Sequence, residues 1–146
     1  MSKIFKSQNL CKLLYYATNP LSQPDIDNTR SILLMNNVYP LPKPPPAQED
    51  RKVYLSIILS EAKMHNKGQS FKDYKLIINI VCHIDLWMIA EGLRPLLISH
   101  ELDKIFNKTR SADLTIGESL FDNWIYREYS DYFCGYYQSY ILTNFN

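Results

Sequence analysis

The sequence predicts an α+β fold, a small antiparallel or mixed β-sheet of about four strands packed against two helices in the order helix, hairpin, helix, hairpin. Three observations lead there. Apolar residues recur at helical spacing in two places, around Leu10 to Ala17 and Ile98 to Phe106. Strict alternation of apolar residues runs from Val53 to Ser60 and again from Phe71 onward. The last third of the chain is dense in aromatics, which favour pleated, half-buried surfaces.

The first helix spans Ser7 to Ala17, because Leu10, Leu13, Leu14 and Ala17 share one face and Asn19-Pro20 ends the pattern. Leu21 to Asn37 carries Pro24 and clusters of Asp, Asn and Ser, and reads as a loop with one short turn. Val38 to Asp50 holds five of the eight prolines. Proline fixes φ and lacks a backbone donor, so this segment is expected to be extended and to stay out of a central strand. At about 3.1 Å per residue it reaches about 40 Å. Two roles stay open for it: a rigid connector lying on its own domain, or an arm gripping a neighbouring subunit.

Val53, Leu55, Ile57 and Leu59 alternate with Tyr54, Ser56, Ile58 and Ser60, the pattern of a half-buried strand. The polar run Lys63 to Ser70 supplies the turn, and a second strand runs from Phe71 to about Met88. Tyr74, Leu76, Ile78, Ile80, Cys82, Ile84 and Leu86 are assigned to its core face. Ile77, Val81 and Trp87 fall on the other face with Lys75, Asn79, His83 and Asp85. That second face is too apolar for plain solvent, as an interface or a covering helix would require. Ala90-Glu91-Gly92 breaks the strand, and Pro95 opens a second helix, where its missing donor costs nothing. Ile98, Leu102, Ile105 and Phe106 form its stripe, which fades at Asn107-Lys108-Thr109. A third strand follows, Leu114 to Tyr129, bulged near Gly117 or Asn123. A turn at Ser130-Asp131 leads to a last strand, Phe133 to Thr143.

The 146 residues, 1–146, read as a single domain. Sixteen Lys and Arg nearly cancel fifteen Asp and Glu, leaving a formal net charge of +1, so no overall field draws the chain to nucleic acid or an anionic membrane. Cys11, Cys82 and Cys134 are odd in number and far apart, which argues against a disulfide framework. The N-terminal apolar run is interrupted by polar residues and no cleavage site follows, so the expectation is a cytoplasmic protein. Leu76 to Ala90 is too short and too polar to span a bilayer.

Chemistry is sparse. His65, Cys82, His83, Asp85 and His100 are the residues from which a metal or histidine site would be built. Neighbours on a strand point to opposite faces, so Cys82 and His83 make poor joint ligands. His83 and Asp85 would share a face, but no nucleophile is marked beside them. Glu101 and Asp103 do not share a helix face. The four glycines form no phosphate-cradling loop. The C-terminal tyrosines stand among Glu118, Asp122, Glu128 and Asp131, which disfavours stacking on nucleic acid. The reading is therefore of no enzyme, no cofactor and no metal. The residues chosen as an interface are Tyr39, Pro42, Pro44, Pro45, Ile77, Val81, His83 and Trp87, together with the Lys63 to Ser70 loop.

The block VYPLPKPPPAQEDRKVYLSIIL, the passage KLIINIVCHIDLWMIAEGLRPLLISHELDKIFN and the closing YYQSYILTNF carry a resemblance to the tail terminator and tail-completion proteins of tailed bacteriophages. It covers about Val38 to Phe145. The resemblance implies a virion structural protein, a homomeric ring, commonly sixfold, at the head-tail junction. Such a ring contacts the tail tube protein on one side and a head-completion or connector protein on the other, and is assembled in the host cytoplasm. DNA would pass through without specific binding. The five-proline segment and the aromatic C-terminus depart from the family pattern, so a neck or head-completion subunit is also open. The alternative is a small phage-encoded regulatory or inhibitory protein that binds a host factor.

Overall fold

The computed structural model describes residues 1–47, 50–64, 71–110 and 116–145. Three short α-helices come first: α1 (Ser2–Lys6), α2 (Gln8–Tyr15) and α3 (Thr29–Leu33). The Ser7 hydroxyl accepts the Leu10 N–H at 3.4 Å and so caps α2. Strand β1 (Val38–Tyr39) precedes the long hairpin of β2 (Val53–Met64) and β3 (Phe71–His83). A 3-10 turn (Ile84–Leu86) and a two-stranded ribbon of β4 (Met88–Ile89) and β5 (Gly92–Leu93) lead into α4 (Arg94–Phe106). Strand β6 (Thr109–Arg110) precedes the second long hairpin, β7 (Ile116–Glu128) and β8 (Phe133–Phe145).

The main sheet has the order β1-β2-β3-β8-β7-β6. Only the β1-β2 pair is parallel. The α+β class thus stands, and the sheet is mixed. The strand count and the helix order differ from expectation, because two-residue strands flank the four long ones and three helices precede the first strand. A five-residue helix such as α1 or α3 is too short to show a 3.6-residue period.

One face of the sheet is covered by helices. There Val53, Leu55, Ile57, Ile78, Ile80, Cys82 and Tyr140 meet Leu10, Leu13 and Leu14 of α2 and Ile98 and Leu102 of α4 in the main core. Arg94, at the first turn of α4, is 1% exposed. Its guanidinium donates to the carbonyls of Leu13 and Tyr16 at 3.3 and 2.8 Å, and to that of Ala17. Leu13 lies in the last turn of α2 and Tyr16 and Ala17 just beyond it, so one side chain ties the end of α2 to α4.

The second strand stops at His83, short of the expected Met88. His83 Nδ1 accepts the Asp85 N–H at 3.1 Å, a local bond that turns the backbone away from the sheet. As a result Ile84 is exposed, and Trp87 lies on the helix side, 6.2 Å from the Tyr136 ring. Neither Ile84 nor Trp87 keeps the strand position assigned to it, and Asp85 shares no strand face with His83.

On the other face, Tyr39, Tyr54, Val81 and Phe133 form a smaller cluster with Tyr129 and Tyr132. The proline-rich segment lies across this end of β2. The Ser56 hydroxyl donates to Leu41 O at 2.8 Å and accepts the Lys43 N–H at 3.2 Å, and the Tyr54 hydroxyl donates to Lys43 O at 3.3 Å. Over Val38 to Lys43, then, it behaves as a connector on its own domain. Gln48 and Glu49 of the segment lie outside the described residues.

Candidate functional site

The sheet has two edges, and they are built differently. At the β2 edge, β1 pairs Val38 with Leu55 and Tyr39 with Ser56, and the prolines follow. Proline and a covering segment are devices that block strand addition. At the opposite edge, β6 pairs only with Glu118 and Ser119. Among the described residues, no strand lies beyond Leu120 to Glu128.

That open strand is apolar on both faces. The pairs Phe121-Tyr140, Trp124-Gln138 and Tyr126-Tyr136 place Phe121, Trp124 and Tyr126 on the helix side. The pairs Leu120-Ile141 and Ile125-Tyr137 place Leu120 and Ile125 on the other side. Exposure of these five ranges from 39% for Trp124 to 49% for Tyr126. Packing on β8 holds them in place: Trp124 stacks on Tyr136 at 4.1 Å and Phe121 meets Tyr140 edge-on at 6.0 Å. Three of these large side chains share the helix side and two the other, all along one open strand, unlike single scattered apolar residues.

Strand residues turn their backbone groups alternately to one edge and the other. Ser119 accepts the Lys108 N–H at 2.7 Å and Phe121 donates to Asn107 Oδ1 at 3.2 Å, so both face away from β8. The register shift between Phe121 and Asn123 passes this outward direction to Trp124, Tyr126 and Glu128. At the far end Tyr129 N–H donates inward to Phe133 O at 2.9 Å, in step with that alternation. The Trp124 N–H is taken by Asn123 Oδ1 at 2.8 Å.

Charged residues flank the strip on the helix-free side. Asp122 Oδ2 lies 2.9 Å from Lys75 Nζ and accepts the Ser139 hydroxyl at 2.8 Å. The Lys75 contact, aided by Ser139, holds the Asp122 carboxyl below its ordinary range. Arg127 is exposed and rests over the Tyr137 ring at 5.7 Å. On the helix side a groove of about 380 Å³ separates α4 from β7, lined by Leu96, Ser99, His100, Asp103, Phe121 and Trp124.

Most of the residues singled out from sequence are dispersed, but His83 and Asp85 are brought together, His83 Nδ1 lying 3.8 Å from Asp85 Oδ2 through the local turn rather than a shared strand face. Tyr39 is buried edge-on to Tyr54 at 5.5 Å, beneath Lys43 and Lys52. Val81 and His83 are also buried, His83 edge-on to Phe133 at 5.0 Å. Pro42 and Pro44 are exposed, while Pro45, Ile77 and Trp87 are half-buried. Cys82 enters the main core and His83 the smaller cluster, on opposite faces. Asp85 pairs with Arg51 at 3.1 Å, and His100 is exposed in the α4-β7 groove. His65 and the loop from 65 to 70 lie outside the described residues. Among the described residues, no three His, Cys, Asp or Glu side chains converge on a common point, and no helix is long and apolar enough to cross a membrane.

The family model YomW matches residues 7–142, nearly the whole chain. The chain belongs to the YomW family. The match takes in all four long strands up to Leu142, so the open β7 edge lies inside the YomW region. No curated protein matches the chain.

Proposed function

We propose that this YomW-family protein is a non-catalytic assembly subunit, a virion structural protein that joins others of its kind in a ring at a phage head-tail junction. The observation that carries the assembly reading is the β7 edge, where five large apolar side chains stand exposed beside outward backbone groups. An edge of this kind recruits another strand, whether from a copy or from a different protein. The head-tail setting rests on the resemblance of the sequence to tail terminator proteins, and brings with it the tail tube and connector proteins as partners. A formal net charge of +1 suits a channel that DNA must traverse without being held.

The test is to mix the purified chain with isolated phage tail tubes and image the tube ends by electron microscopy. Capped ends carrying the chain are expected. A chain that stays off the tubes, is absent from intact particles and forms a defined complex with a host protein would overturn this reading in favour of a regulatory one.

A further inference from the structure

We infer that, before it joins a larger assembly, the chain pairs with a second copy of itself, β7 against β7, antiparallel about a twofold axis at Ile125. The inference deepens the assembly reading by naming the first partner and the contact. Edge-to-edge addition needs a free edge on each side, and the first half of the β2 edge is taken by β1 and the proline-rich segment. The remainder of β2, Ile57 to Met64, is interrupted by Ser60, Glu61 and Lys63 and exposes, among its described side chains, one large apolar one, Leu59, where β7 exposes five. With the larger apolar edge at β7, the self-complementary solution is isologous and closes at two copies.

The register follows from side-chain faces, since directly opposed residues in an antiparallel pair share a face. Centring the pair on Ile125 sets the two Ile125 side chains together on the helix-free face. Trp124 then faces the partner's Tyr126 on the helix side, and the reciprocal pair repeats this. Arg127 comes opposite the partner's Asn123, on the same helix-free face as the partner's Asp122, so its guanidinium can join the Asp122-Lys75 pair at each end of the contact. The outward Tyr126 N–H is aimed at the partner's outward Trp124 carbonyl. Both Asn123 caps can stay in place while these two bonds form. Moving the axis by one residue, to Trp124, makes the two Trp124 residues the hydrogen-bonded pair and would strip the Trp124 N–H from Asn123 Oδ1 in both chains.

Such pairing covers an apolar edge that would otherwise invite uncontrolled aggregation. A ring that uses β7 must then exchange this partner strand for another.

The experiment joins Ile125→Cys chains with a short bismaleimide and reads the product on a denaturing gel. Arg30→Cys, an exposed position on α3, and the unsubstituted chain are the controls. A two-chain product that exceeds both controls is expected. In parallel, Ile125→Arg and Tyr126→Glu, each checked for an unchanged circular dichroism spectrum, are expected to weaken self-association at least tenfold, roughly 1.4 kcal/mol. If the unsubstituted chain is larger than one copy but position 125 gives no excess cross-link, the β7 pairing is overturned and the assembly reading stands. If the chain is a single copy at every concentration, the pairing is overturned. If it also ignores tail tubes, the assembly reading falls with it.

Discussion

Arg94 illustrates how much one residue can organise here. Its planar fork serves three carbonyls from three residues at the end of α2, and burial opposes the charge, pulling its pKa down. A lysine keeps the charge but has a single nitrogen and a different reach, so it leaves acceptors unserved. Arg94→Lys is expected to cost about 2–4 kcal/mol of stability, measured by urea unfolding with unchanged m-value. The three thiols make a second prediction. Burial pushes Cys11 up to about 11 and Cys82 up to about 12, while Cys134 is raised less and is partly exposed. Thiolate, the reactive form, is thus scarcest where access is also poorest. Cys134 is expected to react first with a disulfide reagent in the native protein, and Cys11 and Cys82 only as the chain unfolds. Nothing in the sequence marked Arg94 as a buried residue. Its role depends on carbonyls some eighty positions away, and the visible signal was only that it stands beside Pro95 at a helix start.

At the scale of elements, the hairpins and α4 were legible because each depends on local pattern. Alternation located β2, the Pro95 start located α4, and the bulge near Asn123 appears as the register shift between Phe121 and Asn123. Alternation also misled: from Ile84 to Leu86 the apolar period continues, while the His83-Asp85 bond bends the chain into a 3-10 turn. Gly135 was not singled out, yet it is demanded by the sheet. It pairs with Val81, and a Cβ there would overlap the carbonyl of Ile80. Gly135→Ala is expected to lower stability by about 3 kcal/mol by prising β8 from β3, read as a shift in the urea midpoint. Gly92→Ala, at φ of +131° with open space around it, is expected to destabilise through backbone strain alone.

At the scale of the molecule, the candidate site was the least legible part. The aromatic richness of β7 was plain in the sequence, but strand order is a long-range property, and only strand order places β7 near an edge and the proline-rich segment at the opposite one. Composition alone assigned those aromatics to half-buried packing, which holds for Tyr136 but not for Phe121, Trp124 or Tyr126. The second face of β3, expected to meet an interface or a covering helix, is filled at the His83 end by the chain's own Tyr39, Tyr54 and Phe133. What emerges is a sheet whose β2 edge is guarded at its start and whose β7 edge is open and apolar, a shape suited to controlled association. Sedimentation equilibrium of the unsubstituted chain over a hundredfold range of concentration tests that claim most directly. A species of twice 17.2 kDa that gives way to one chain on dilution is expected, whereas a single chain throughout the range would rule out association through this edge.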